Sequence, residues 1–366
     1  MSYYDSDFYK DDSYEIDWEC ENRKTFEDVV EQWLSVKWSD VRLSTVRNYE
    51  TLLKPLYSEF SEKKMEEITA GELQSYFNKL IDLGHYSTAR HLFDLLKALY
   101  RYAYEKGEVS LNPMNKIVIK NVGRCEAKYL TELEQKYFVL ALENNRLKYL
   151  FLFALYTGLR PGEICGLQWP QVDIELKTIR VENSVRRQDY SNGSRLELGN
   201  TKTGKVREIP LGTQAMNCLL QQLKLQAEES VTMRYSNPLK LVFTTRKGTV
   251  LENNSINRSL KSIQKKMKEL YVAQHKVSID EVPFEEFTVK AFRHTYATRA
   301  LESGVPLKVV SDLLGHSSVR ITGDVYTHVN SKTMQKNIVK IDEYLNSVES
   351  YINSVCLGTT QKDIQK

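Results

Sequence analysis

Apolar residues recur at helical spacing over most of this chain. From about Thr25, the residues Phe26, Val29, Val30, Trp33 and Leu34 fall on one helix face. Thr25 is a good N-cap, and Glu27 and Asp28 supply acids to the first turn. Ser44-Thr45 is expected to cap a second helix carrying Tyr49, Leu52 and Leu53. Thr69-Ala70-Gly71-Glu72 opens a third, with Leu73, Tyr76, Phe77 and Leu80. Ser87-Thr88 begins a fourth, with Leu92, Leu95, Leu96, Leu99 and Tyr100, and Asn112-Pro113 closes the run. Four amphipathic helices with short links predict a small all-α domain over residues 25–113.

Residues 114–128 show no clear period and read as a linker. Thr131-Glu132-Leu133-Glu134 is a capping box that starts a second domain, over 129–340. The apolar run Tyr149–Tyr156 is far short of the ~20 residues a membrane span needs, so it predicts a buried helix and no membrane partner. Thr178–Ser184 and Val206–Leu211 alternate apolar and polar, with turn-formers around Thr203-Gly204, which predicts a short β-sheet. Helices resume near Asn217–Gln226 and through the C-terminal third. The expected fold is mainly α with a small β-sheet: a helical bundle, then a mixed, mostly helical domain. Within 341–366, Ile341, Tyr344, Leu345, Val348, Tyr351, Ile352 and Val355 predict a last helix. Its apolar stripe either folds onto its own domain or docks on a neighbouring subunit.

Charge adds an asymmetry. Residues 1–24 form a tail without helical or strand period, and its first 22 residues hold eight acids against the single base Lys10. That segment carries −7 and the whole chain +3, so the remainder carries +10. A basic body suits a polyanionic partner. The tail reads either as disordered or as a DNA mimic lying across a basic groove. A separately folded domain is not expected within so short and acidic a stretch. Five scattered cysteines without paired spacing point to a reducing interior. Six scattered histidines offer no metal-ligand spacing. The start lacks a secretory signal pattern, so the expected location is the cytoplasm.

The candidate chemistry lies in four separated segments. Gly158 can end the buried helix and Pro161 can begin another, which places Arg160 at a helix–helix corner where its fork can grip two phosphate oxygens. Glu163 suits orienting a basic neighbour rather than chemistry. Lys202 lies in the turn Asn200-Thr201-Lys202-Thr203-Gly204-Lys205, from which a lysine can reach into a groove and donate a proton; Lys205 competes for that role. Lys290-Ala291-Phe292-Arg293-His294 stands near a helix start, where the dipole favours an anion. His316 follows a short helix opened by Pro306 and closed by Gly315, and Tyr326 lies ten residues further on. Cleaving a phosphodiester without a metal needs a nucleophile, cations for the transition-state charge and an acid for the leaving oxygen.

In this order, Arg160, Lys202, Lys290-x-x-Arg293, His316 and Tyr326 resemble the tyrosine recombinases, the phage integrase family. Leu313-Leu314-Gly315-His316-Ser317-Ser318, Arg293-His294-Thr295-Tyr296-Ala297-Thr298 and Thr201–Leu211 carry the likeness most closely. It covers roughly residues 25–345. The resemblance implies a helical core-binding domain and a catalytic domain that clamp double-stranded DNA, with no cofactor. Tyr326 would attack the phosphate to form a 3′-phosphotyrosine link. Arg160 and Arg293 would hold the non-bridging oxygens, His316 would add a hydrogen bond, and Lys202 would protonate the leaving 5′ oxygen. Partners would be recombination sites bound by a homotetramer across two DNA sites, with accessory DNA-bending or excision proteins. The expected function is integration and excision of a phage or conjugative element. The alternatives are a housekeeping recombinase that resolves chromosome dimers, a topoisomerase-like nicking enzyme, or a non-catalytic DNA-binding regulator.

Two further expectations concern particular residues. The family usually has histidine where this chain has Lys290. Lysine is protonated at neutral pH, with a reference pKa of ~10.4, so Lys290 is expected to serve as a phosphate cation rather than a base. The surrounding cations would then favour the Tyr326 phenolate. In the helical domain, Thr45, Arg47, Thr88, Arg90 and Lys97 are candidate DNA contacts.

Overall fold

A computed structural model describes residues 23–119, 128–190, 193–201, 204–232 and 234–325, with isolated positions at 338, 342, 343 and 346. The chain divides at about residue 124 into two compact units. The last predicted helix, at 341–355, lies outside the described residues apart from three positions.

The first unit is built from four helices: α1 (Phe26–Asp40), α2 (Leu43–Phe60), α3 (Ala70–Asp82) and α4 (Tyr86–Glu105). Two of them start through reciprocal caps. The Thr25 hydroxyl accepts from the Asp28 N–H at 3.2 Å while the Asp28 carboxylate accepts from the Thr25 N–H at 3.2 Å. Thr69 and Glu72 repeat the arrangement at the head of α3. The other two starts differ from expectation. α2 begins at Leu43 behind Arg42, and α4 at Tyr86 behind His85, neither with a side-chain cap. Ser44-Thr45 and Ser87-Thr88 therefore lie within first turns. Burial of Val46 and Ala89 draws these turns into the helix, so packing rather than a hydroxyl sets their starts. α4 touches each of the other three helices. Its residues Leu92, Leu96, Leu99 and Tyr100 meet Phe26, Leu53, Leu56, Phe60 and Phe77 in one core. Met114 and Ile117, at the start of the segment expected as a linker, are buried in this same core.

The second unit centres on α6 (Lys148–Thr157), which packs against α8 (Thr213–Thr232) and α10 (Lys290–Glu302). α5 (Glu132–Ala141), capped by Thr131 and Glu134, packs on α9 (Asn253–His275). Phe138, Phe151, Phe287 and Phe292 form an aromatic group between these layers. α6 is apolar nearly all round because it is the central helix, as the run Tyr149–Tyr156 predicts. The β structure is larger than the sequence suggests. A three-stranded antiparallel sheet runs β1 (Val172–Asp173), β2 (Thr178–Val181), β5 (Arg207–Pro210). A separate antiparallel hairpin pairs β3 (Asn183–Tyr190) with β4 (Gly193–Asn200) in register from Asn183↔Asn200 to Tyr190↔Gly193. Three short helices complete the unit: α7 (Pro161–Gly166), α11 (Leu307–Leu314) and α12 (Val319–Val325). Among the described residues, no helix is long and apolar enough to cross a membrane.

Candidate active site

Two helix ends build the site. α6 stops at Gly158 and α11 stops at Gly315, both in the left-handed region, with φ of 63° and 65°. That conformation costs an L-residue more than glycine, and it turns the chain sharply after each helix. The first turn delivers Arg160 to the head of α7. The second delivers His316.

Three arginines converge on the carbonyl groups at the end of α11. Arg207 Nε donates to Leu313 O at 3.3 Å, Arg293 Nη2 to Leu314 O at 2.7 Å, and Arg160 Nη2 to Gly315 O at 2.9 Å. Arg293 Nη1 also donates to Gly158 O at 3.1 Å, so one guanidinium ties the two helix ends together. These carbonyls are the unpaired acceptors every helix leaves at its C-terminus. The cations satisfy them and are held side by side.

Glu163 balances the group. Its carboxylate is 2% exposed. It accepts from Arg160 Nη1 at 2.8 Å and the Arg160 N–H at 3.1 Å, and from Arg207 at 2.7 and 3.2 Å. Burial by itself would raise the Glu163 carboxyl, but the hydrogen bonds and charge of Arg207, then Arg160, win and hold it below its ordinary value. Glu163 is thus a buried anion that orients Arg160.

His316 is half-buried, and its Nδ1 lies 2.7 Å from Thr322 Oγ1. Burial, followed by the charges of Arg293 and Arg160, pushes the imidazole down to about 4, so it is neutral at neutral pH. His294, next to Arg293 on α10, is also shifted down, by burial and then by Arg293 and Lys290.

Of the residues singled out from sequence, Arg160, Glu163, Arg293 and His316 come together here. Lys290 is the exposed first residue of α10, one turn ahead of Arg293. Lys202 and Tyr326 lie outside the described residues, while the competing Lys205 is exposed between β4 and β5. Thr45, Arg47, Thr88, Arg90 and Lys97 lie on α2 and α4 of the first unit. There Arg90 pairs with Asp94 at 3.6 Å and lies 6.0 Å from the Phe93 ring. Sequence reasoning missed Arg207 and Thr322. Arg207 stands within the quoted run Thr201–Leu211, yet nothing in that run marks it as a partner of Glu163, which lies 44 residues away. Thr322 precedes Tyr326 by four positions, and only the fold shows that its hydroxyl meets an imidazole.

The cations gathered at two helix ends suit an anionic group. Residues 128–333 match the phage integrase family, and residues 25–81 match an N-terminal SAM-like domain of phage integrases. The chain belongs to the phage integrase family, the tyrosine recombinases, enzymes of DNA strand cleavage and rejoining. A "tyrosine recombinase XerC-like" protein of Caldanaerobacter subterraneus is 35% identical over 298 residues, spanning 75% of this chain and 71% of that protein. The integrase of Staphylococcus phage L54a is 24% identical over 335 residues, spanning 84% and 90%. In structure, the Tn1549 transposon integrase in complex with transposon right end DNA superposes with a TM-score of 0.71 at 18% identity, covering 87% of this chain and 100% of that one. A lambda integrase from a tetramer bound to a Holliday junction gives 0.63 at 19%, covering 83% and 78%. At these identities the structural likeness speaks for the fold.

Proposed function

We propose that this chain is the site-specific recombinase of a phage or conjugative element and works through a 3′-phosphotyrosine intermediate at Tyr326. The observation that carries the chemistry is the convergence of Arg160 and Arg293, beside the neutral His316, on the end of α11. In this reading the two guanidinium groups take the non-bridging oxygens of a DNA phosphate, whose negative charge grows as the nucleophile arrives. His316 donates a hydrogen bond to the same phosphate. Tyr326 loses its phenol proton to water, its oxygen bonds to phosphorus, and the bond to the 5′ oxygen breaks. Lys202 gives that oxygen a proton, so a 5′ hydroxyl leaves. A partner strand's 5′ hydroxyl reverses the step: it gives its proton to Lys202, bonds to phosphorus and frees the tyrosinate, which takes a proton from water. The phosphoryl bond is conserved throughout, which explains rejoining without an external energy source.

Assembly follows from the same proposal. Exchange between two duplexes needs two active sites on each, hence four copies. The helical unit would lie across DNA through Thr45, Arg47, Thr88, Arg90 and Lys97, with accessory DNA-bending or excision proteins setting direction. The likeness to a phage integrase, 24% identical in sequence, supports the mobile-element reading. The XerC-like relative, at 35% identity, supports chromosome-dimer resolution as the second reading.

The chemistry is tested with a duplex nicked just beyond the cleavage position, so that the released fragment diffuses away. Covalent protein–DNA complex should accumulate without added metal or nucleotide, with the free 5′ hydroxyl on the released fragment. A complex joined through the 5′ phosphate instead would contradict the proposal. Recombination between a cloned element junction and its empty target, weighed against a chromosome-dimer site, separates the two biological readings.

A further inference from the structure

We propose that Thr322 is a positioning residue that keeps the proton of His316 on Nε2, the nitrogen left for the scissile phosphate. This rests on the reading that His316 donates to that phosphate. Thr322 lies on α12, in the chain just beyond His316, and its side chain is completely buried. Its hydroxyl and the His316 Nδ1 are 2.7 Å apart, a full-strength hydrogen bond whose direction depends on which atom holds the proton.

Three considerations set that direction. First, the imidazole is neutral, because it is half-buried and faces Arg293 and His294 on α10, Arg160 at the head of α7 and Arg207 on β5. A neutral imidazole has one N–H and one lone pair, so the choice at Nδ1 decides Nε2. Second, a buried hydroxyl that fails to donate costs more than one that leaves a lone pair unused. Among the described residues the imidazole is the recorded partner of Thr322, so the hydroxyl spends its proton there and Nδ1 accepts. Third, a donor to an anionic phosphate must be an N–H, and with Nδ1 accepting, that N–H is Nε2. Had Nδ1 carried the proton, Nε2 would present a lone pair to phosphate oxygens and repel them. Thr322 thus acts on the reaction through His316.

The tautomer is directly measurable. In full-length protein labelled with nitrogen-15 histidine, the two ring nitrogens of a neutral imidazole give well-separated NMR signals, and those of His316 are identified by their loss in His316→Asn. At pH 7 the wild type and Thr322→Ser, which keeps the hydroxyl, should show the proton on Nε2. Thr322→Val fills the same space without a hydroxyl and should show a mixture or the Nδ1–H form. Single-turnover cleavage of the nicked duplex should fall by about tenfold or more in Thr322→Val and stay within about threefold in Thr322→Ser. A wild-type His316 protonated on Nδ1 overturns the proposal whatever the activity. So does a Thr322→Val protein that cleaves at the native rate with the Nε2 proton retained. A wild type that cleaves nothing would fail the functional reading, while the NMR signals still decide the role of Thr322.

Discussion

Glu163 carries one negative charge between two guanidinium groups, and that balance decides what substitutions nearby should do. Arg207→Ala removes one cation from a buried carboxylate, which should cost roughly 2–4 kcal/mol in chemical denaturation. Glu163→Gln in the same chain should recover part of that loss, because the uncompensated charge goes with it. Equal losses from the double and single variants would show that Arg207 acts by packing alone. His316 makes the pH dependence specific. Its folded value, about 4, lies below the ordinary 6.5, so the unfolded chain takes up the proton first. The stability His316 contributes is complete above about 6.5 and is lost as pH falls towards about 4. His316→Asn should flatten that limb of the stability curve, measured by denaturant midpoint against pH; an unchanged limb would assign it to other groups. Lys290 is exposed at the helix start, where a cation can meet phosphate. Lys290→His should retain strand cleavage, and a dead variant would rule out a purely cationic role. Arg160, Arg293 and His316 were singled out by the order of their runs, each weak alone and strong in combination. Arg207 and Thr322 were not, since their partners come from distant turns that only folding brings close.

At the scale of elements, the threonine caps and the buried helix were legible, while the hairpin and the two helix starts near Ser44 and Ser87 were not. Thr25, Thr69 and Thr131 each precede an acid by three positions, and all three form reciprocal caps. The strand Gly193–Asn200 contains two glycines, with Leu196 and Leu198 half-buried. Its pairing with β3 rests on backbone register rather than a sharp apolar period, so the sequence gives it little mark. The helix stops matter more to the site. A Cβ placed on Gly158 would lie 2.7 Å from Tyr296 Cδ1 and 2.8 Å from Leu314 Cδ2. Gly158→Ala should therefore add a clash to the left-handed strain and destabilise by about 2 kcal/mol. It should also weaken cleavage more than DNA binding, since the displaced turn carries Arg160. A variant with native stability and native cleavage would mean that the Gly158 turn does not set the position of Arg160.

Across the whole molecule, the proposed catalytic groups are scattered from Arg160 to Tyr326, and no single segment holds the site. The order of these residues was readable from sequence, whereas the convergence of Arg160 and Arg293 on the end of α11 required the fold. The family assignment and the cation cluster together make Tyr326 the proposed nucleophile, and it can be tested without knowing the natural target in full. The measurement is covalent trapping on a nicked duplex, comparing wild type with Tyr326→Phe, followed by mapping of the DNA-linked peptide. The wild type should give a covalent complex whose modified peptide contains Tyr326. Tyr326→Phe should bind the same DNA with similar affinity and trap none. A covalent complex formed by Tyr326→Phe, or a link mapped to another residue, would contradict the account.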